Sequence, residues 1–145
     1  MNLSRFSDYS LRVLMYAALK EDESFMIDEV TEAYGISRNH VAKVINNLSK
    51  LSYLETRRGR GGGIRLACSP GEILLGELIQ ETENQPVIVE CFSAETNTCP
   101  ISSECRLKGL LAEAMKAFYE SLNNYTLRDL VVGPLKQRLS NTLLN

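Results

Sequence analysis

Leu11, Leu14, Met15, Ala18 and Leu19 recur every three or four positions through DYSLRVLMYAALK, residues 8–20, with polar side chains between them. That period predicts an amphipathic helix, with Ser7 or Asp8 able to cap its start. After a charged turn, EDES, the segment MIDEVTEAYG repeats the pattern more briefly. Ile27, Val30 and Ala33 form its inner stripe and Gly35 ends it. Ser37 is placed to cap a third helix, RNHVAKVINNLSKL, whose Val41, Val44, Ile45, Leu48 and Leu51 share one side of the helical wheel. The other side displays Asn39, Lys43, Asn46 and Lys50, flanked by His40 and Asn47.

The pattern then changes. YLETRRGRGGGIRLAC, residues 53–68, reads as a hairpin with strands over 53–56 and 64–67 and the tip RRGRGGG between them. Three consecutive glycines permit a tight turn and let backbone approach a partner closely. Two short helices joined by a glycine turn, the second basic and amide-rich outside, suggest helix-turn-helix. A basic hairpin directly behind completes the layout of a winged helix. Arginine and lysine suit guanine edges and asparagine suits adenine, so this face has the residue types for a major groove. A merely solvated helix face is the alternative. The expected DNA-contacting set is Arg38, Asn39, His40, Lys43, Asn46 and Lys50 on the helix, with Arg57, Arg58, Arg60, Gly61 and Gly62 on the hairpin.

Beyond the hairpin, SPGEILLGELIQETE opens on Ser69, Pro70 and Glu72, a capping box with proline in the first turn. Ile73, Leu74, Leu78 and Ile79 make its inner stripe. A long helix is expected from Arg106, with Leu107, Leu110, Leu111, Ala114, Met115, Phe118 and Leu122 along one apolar side. A long apolar helix beside a small DNA-binding unit more often pairs two subunits than completes a core, so a homodimer is expected. Thr126 and Asp129 form a cap pair in TLRDLV, and the tail GPLKQRLSNTLLN is weakly patterned. The expected fold is mainly α: a winged helix-turn-helix domain with a two-stranded wing over 1–68, and a helical dimerisation region over 69–145.

Charge alters this picture only when it is resolved along the chain. The net value, −2, argues against a nucleic-acid partner. Yet residues 36–66 carry Arg38, Lys43, Lys50, Arg57, Arg58, Arg60 and Arg65 against Glu55 alone. Such a patch attracts phosphates while the acidic remainder keeps the protein soluble. The composition, 44% hydrophobic and 23% charged, is that of a globular chain. The first twenty residues lack the apolar run of a signal peptide, and no segment approaches the roughly 20 apolar residues needed to span a bilayer. A cytoplasmic location without a membrane partner is expected. The one histidine lies on the basic helix, and no Ser/His/Asp or Cys/His arrangement is evident, which argues against an enzyme.

In a reducing compartment, grouped cysteines more often bind metal or do redox chemistry than form disulfides. Cys91, Cys99 and Cys105 fall in the polar stretch VECFSAETNTCPISSECRLK, separated by seven and five residues. Zinc knuckles keep paired cysteines two to four apart, so these gaps suit zinc poorly. Iron–sulfur clusters are usually held by four thiolates, and this loop offers three. Free half-buried thiols, a redox-sensing pair, and zinc completed by a carboxylate or His40 remain open. Cys68, between a strand and a cap, reads as structural.

DYSLRVLMYAAL, ISRNHVAKVINNLSKLSYLETRRGRGGGIRLA, the loop ending CPISSECRLK and LNNYTLRDLV together resemble the iron–sulfur winged-helix regulators typified by IscR and NsrR, over roughly residues 1–132. CRLK and NNYTLRDLV favour the nitric-oxide-sensing branch. In the IscR branch a histidine ligand stands three residues after the last cysteine; that position here is Lys108, which cannot serve. The resemblance implies a repressor on a palindromic double-stranded DNA operator. It also implies a cluster, 4Fe-4S rather than 2Fe-2S, and nitric oxide as the signal. Cys91, Cys99 and Cys105 become cluster ligands, and Asp8 of the partner subunit becomes the candidate fourth ligand, its alternative being a helix cap. A cluster-free regulator that senses thiol oxidation or a small effector through the same cysteines is the competing expectation.

Overall fold

The computed structural model describes residues 2–59, 61–83 and 88–145. Helices α1 (Arg5–Lys20), α2 (Ile27–Tyr34) and α3 (Arg38–Lys50) lead into strands β1 (Leu54–Arg57) and β2 (Gly63–Leu66). Helices α4 (Leu75–Thr82), α5 (Arg106–Leu122) and α6 (Gly133–Leu143) follow, with short 3-10 turns at Pro70–Glu72, Glu90–Phe92 and Leu127–Leu130.

The first stripes pack as their periods require. Val13, Leu14 and Ala17 of α1 join Val30 of α2 and Val41, Val44, Ile45 and Leu48 of α3 in one buried cluster. Each fully buried valine or leucine there contributes about 1.5–3 kcal/mol. Gly35, at φ 64°, ends α2, and Ser37 caps α3. The cap of α1 differs from expectation. Ser4 holds it, its hydroxyl accepting from the Ser7 N–H at 3.1 Å. Ser7 is buried and Asp8 sits inside the first turn. The Ser4 N–H donates to the Glu83 carboxylate at 2.7 Å, a tie across 79 positions that no local pattern announces.

Strands β1 and β2 pair antiparallel, Leu54 opposite Leu66 and Arg57 opposite Gly63, one residue displaced from the expected limits. Phe25 adds an isolated bridge on the other side of β2, exchanging two 2.9 Å backbone bonds with Ile64. The hairpin is thereby fastened to the turn between α1 and α2.

Two expectations for the second half need correction. The Ser69/Glu72 capping box closes a 3-10 turn, not helix α4, which starts only at Leu75. Ladder bonds explain the interruption: the Leu127 N–H donates to the Ile73 carbonyl at 2.9 Å and the Leu75 N–H to the Tyr125 carbonyl at 3.0 Å. The weakly patterned tail is helical as α6, with Leu139, Leu143 and Leu144 packed on the core and Lys136 paired to Glu21. Ile73, Leu78, Leu127 and Val131 belong to the same cluster as α1–α3, so the core continues across residues 68 and 69. Helix α5 meets α4 closely at Gly76, where a side chain would stand 2.2 Å from the Tyr119 carbonyl oxygen. No residue of α5 is buried, and Leu107 and Leu110 remain 59% and 52% exposed.

Candidate nucleic-acid interface and cysteine loop

With its apolar side turned into the core, α3 leaves Arg38, Asn39, His40, Lys43, Asn46 and Lys50 all exposed. The Ser37 hydroxyl anchors the first turn twice over. It accepts from the His40 backbone N–H at 3.4 Å and lies 2.9 Å from His40 Nδ1. The Tyr9 ring of α1 stands 6.0 Å from the imidazole, so His40 is braced on two sides. Arg38, the first residue of α3, is ion-paired to Asp28 of α2.

Arg57 and Arg58 are exposed on the hairpin, as is Gly61; Arg60 lies outside the described residues. Glu55 pairs with Arg65 and, at 3.8 Å, with Arg57, which leaves Arg58 without a carboxylate among the described residues. The turn closes with the Gly62 N–H donating to Gly59 at 2.9 Å. A Cβ at Gly62 would stand 2.3 Å from the Arg57 carbonyl oxygen, so this position admits no side chain without moving the tip. The fold brings the two basic segments together: Arg38, Arg57, Arg58 and Gly62 line one groove of about 380 Å³ with Met26 and Asp28. Asp28 was not legible as part of this surface. In sequence it is one acid in DEVTE, with no spacing to single it out.

The cysteine loop lies between α4 and α5. Cys91 falls in the Glu90–Phe92 turn, Cys99 donates its N–H to Asn97 Oδ1 at 3.1 Å, and Cys105 is the N-cap residue of α5. Side-chain bonds from Asn97 to Ser102 (2.9 Å) and Thr98 to Glu90 (3.1 Å) brace the loop. Phe92 of the loop and Met115 and Tyr119 of α5 line one groove of about 450 Å³. All four cysteines are free and half-buried. Cys68 packs against the core, and burial, with Glu72 nearby, pushes its thiol pKa up.

Among the described residues, no three His, Cys, Asp or Glu side chains gather closely enough for one metal ion. The donors fit a larger, thiolate-bound iron–sulfur group in kind: three unpaired soft sulfurs, partly shielded, in one loop between α4 and α5. At Cys105 such an anionic group would also meet the free N–H groups of the first turn of α5. Asp8, half-exposed in the first turn of α1, is held by Arg12 at 2.8 Å. Arg12 in turn lies 5.9 Å from the centres of the Tyr9 and Tyr34 rings.

Residues 3–133 match the family model of Rrf2, described as iron-dependent transcriptional regulators. The chain belongs to the Rrf2 family. It is 51% identical over 132 residues to the HTH-type transcriptional regulator NsrR of Bacillus subtilis, covering 90% of each chain. Against NsrR of Shouchella clausii the identity is 47% over 134 residues, covering 92% of this chain and 90% of the relative. The solved IscR of T. potens superposes with TM-score 0.70 at 20% identity, over 95% of this chain and 88% of that one, and shares the winged-helix fold. As an Rrf2 protein the chain is a DNA-binding transcriptional regulator, and its relatives are named as regulators, not enzymes. No helix among the described residues is long and apolar enough to cross a membrane.

Proposed function

We propose that this chain is a homodimeric repressor that senses nitric oxide through an iron–sulfur cluster and releases its operator when the cluster is attacked. The observation that carries the reading is the set of three free, half-buried thiols in one irregular loop. Relatives named NsrR support it. In this reading Cys91, Cys99 and Cys105 are the thiolate ligands, and Asp8 of the partner subunit is the fourth. When bound, the group supplies a labile iron open to a diatomic ligand, because a hard carboxylate oxygen is a weaker partner for it than thiolate.

The chain's own residues do the rest. The exposed apolar residues of α5 support pairing of two protomers, since burying Leu107 and Leu110 removes apolar surface that the described residues leave exposed. Two α3 helices related by a dyad can enter successive major grooves about 34 Å apart. On each, Arg38, Asn39, His40, Lys43, Asn46 and Lys50 face base edges and phosphates, while Arg57, Arg58, Arg60, Gly61 and Gly62 follow the backbone or the minor groove. As a ligand across the dimer, Asp8 would link the loop of one protomer to α1 of the other, and α1 packs on α3. Loss of that tie frees the two recognition helices to change separation. A full switch between bound and free operator requires about 5.5 kcal/mol of differential affinity, within reach of several lost metal–ligand bonds.

The test is anaerobic purification with iron and sulfide assays, followed by nitric oxide titration while operator binding is measured. Stoichiometric iron and sulfide, and release that tracks nitric oxide, are expected. Protein without either element, or operator binding indifferent to nitric oxide, overturns the reading. A colourless protein that releases DNA on thiol oxidation replaces it with the cluster-free alternative.

A further inference from the structure

Among the described residues, Asp28 is the one acid lining the groove shared by Arg38, Arg57 and Arg58. Two simple explanations for it fail. As a stabiliser it is weak, because the Asp28 and Arg38 side chains are 66% and 59% exposed and ion pairs in water add little to a fold. As a contributor to DNA affinity it has the wrong sign, because a carboxylate facing phosphates repels them.

Its geometry offers a third role. Arg38 is the first residue of α3, and the N-terminal residues of a recognition helix are those that reach base edges. Asp28 Oδ1 accepts from Arg38 Nη1 alone, leaving Nε and Nη2 without a partner among the described residues. Two parallel N–H donors match the O6 and N7 acceptors of guanine in the major groove. The carboxylate comes from α2, which packs on α3 across the Gly35 turn, so its position is set by the fold and not by the mobility of α3's own surface.

We propose that Asp28 is a positioning residue for sequence readout: it holds Arg38 with one guanidinium edge free to pair with a guanine, lowering affinity for DNA in general and raising discrimination. The proposal rests on the DNA-interface reading above and deepens it.

The experiment uses the full-length protein, prepared anaerobically, on an operator obtained by selection from random duplexes. Affinity is measured for that operator, for versions with each guanine replaced, and for an unrelated duplex. Asp28→Asn and Asp28→Ala are expected to bind the unrelated duplex more tightly than wild type and to lose at least about fivefold of the operator-to-unrelated ratio. The loss should fall at one guanine, the same one at which Arg38→Gln loses discrimination, and Arg38→Gln combined with Asp28→Asn should be no worse than Arg38→Gln alone. Thermal melting identifies any variant that fails to fold, and Asp28→Asn, which keeps size and shape, then decides.

If Asp28→Asn raises both affinities equally and leaves the ratio intact, the acid merely repels and the proposal falls. If it instead relaxes a preference for cytosine, additively with Arg38→Gln, the carboxylate reads a base amino group directly and the proposal also falls. Arg38→Gln without any effect on sequence preference removes the interface reading itself, an outcome distinct from failure of the Asp28 assignment alone.

Discussion

Helices α3 and α5 carry apolar stripes of similar strength and meet opposite fates. In α3, Val41, Val44, Ile45 and Leu48 are all buried within the protomer, and the polar residues between them are left as a working surface. In α5 no residue is buried: Leu107 and Leu110 are exposed, and Leu111, Met115, Phe118 and Leu122 are only half-buried. Periodicity therefore predicts that a face will be covered without saying by what. For α3 the cover includes α1, close in sequence; for α5 the main neighbour among the described residues is α4, across the close approach at Gly76.

Truncation should separate the two helices most sharply. Leu48→Ala opens a cavity in the core and should cost about 2–5 kcal/mol of stability at any protein concentration. Leu110→Ala should change protomer stability by no more than about 0.5 kcal/mol, while Leu110→Glu should dissolve the proposed dimer and with it tight operator binding. Denaturant melts and light scattering read the two effects. A Leu110→Glu protein that remains dimeric would mean that α5 is not the subunit interface.

The wing should respond next. Gly62→Ala forces the tip away from the Arg57 carbonyl and should lower operator affinity roughly tenfold, about 1.4 kcal/mol, with melting unchanged. Unaltered affinity would show that the tip geometry is not read. The cap of α3 is a smaller lever: Ser37→Ala should cost about 1 kcal/mol in a denaturant melt and should also loosen His40, whose Nδ1 loses its only side-chain partner among the described residues.

These cases show where sequence reasoning succeeded and where it stopped. The α3 face, its Ser37 cap, the Gly35 turn and the hairpin were legible because each depends on neighbours within a few positions. The Ser4–Glu83 bond, the Phe25 bridge to Ile64 and the Ile73–Leu127 ladder were not, because each joins segments far apart in the chain, and the last of them stopped a helix that the Ser69 box invited. The α6 stripe was too sparse to announce a helix and forms one against a surface that already exists. Within the candidate site, residue types were readable, whereas the meeting of Arg38 with the wing arginines, and the acid beside them, required the fold.

The smallest expected effect tests how far the covered half depends on charge. Burial raises the Glu29 carboxyl pKa, but bonds from Lys20, the Met26 N–H and the Tyr16 hydroxyl outweigh it and hold the group below its ordinary value. A depressed folded pKa means stability that is present above the unfolded value, about 4.3, and lost as pH falls through the folded one. The melting temperature of wild type should therefore exceed that of Glu29→Gln at neutral pH, and the gap should close below about pH 4. Tyr34 supplies the opposite arm. Its hydroxyl is buried without a partner among the described residues, and burial pushes its pKa up to about 12 despite the opposing charge of Arg12. A raised folded pKa gives stability that is complete below about 10 and lost as pH climbs toward 12. Tyr34→Phe should flatten that alkaline loss and leave the acid side untouched. If the variant and wild type lose stability in parallel above pH ~10, the core around α1 and α2 does not titrate through Tyr34, and the alkaline limit lies elsewhere in the molecule.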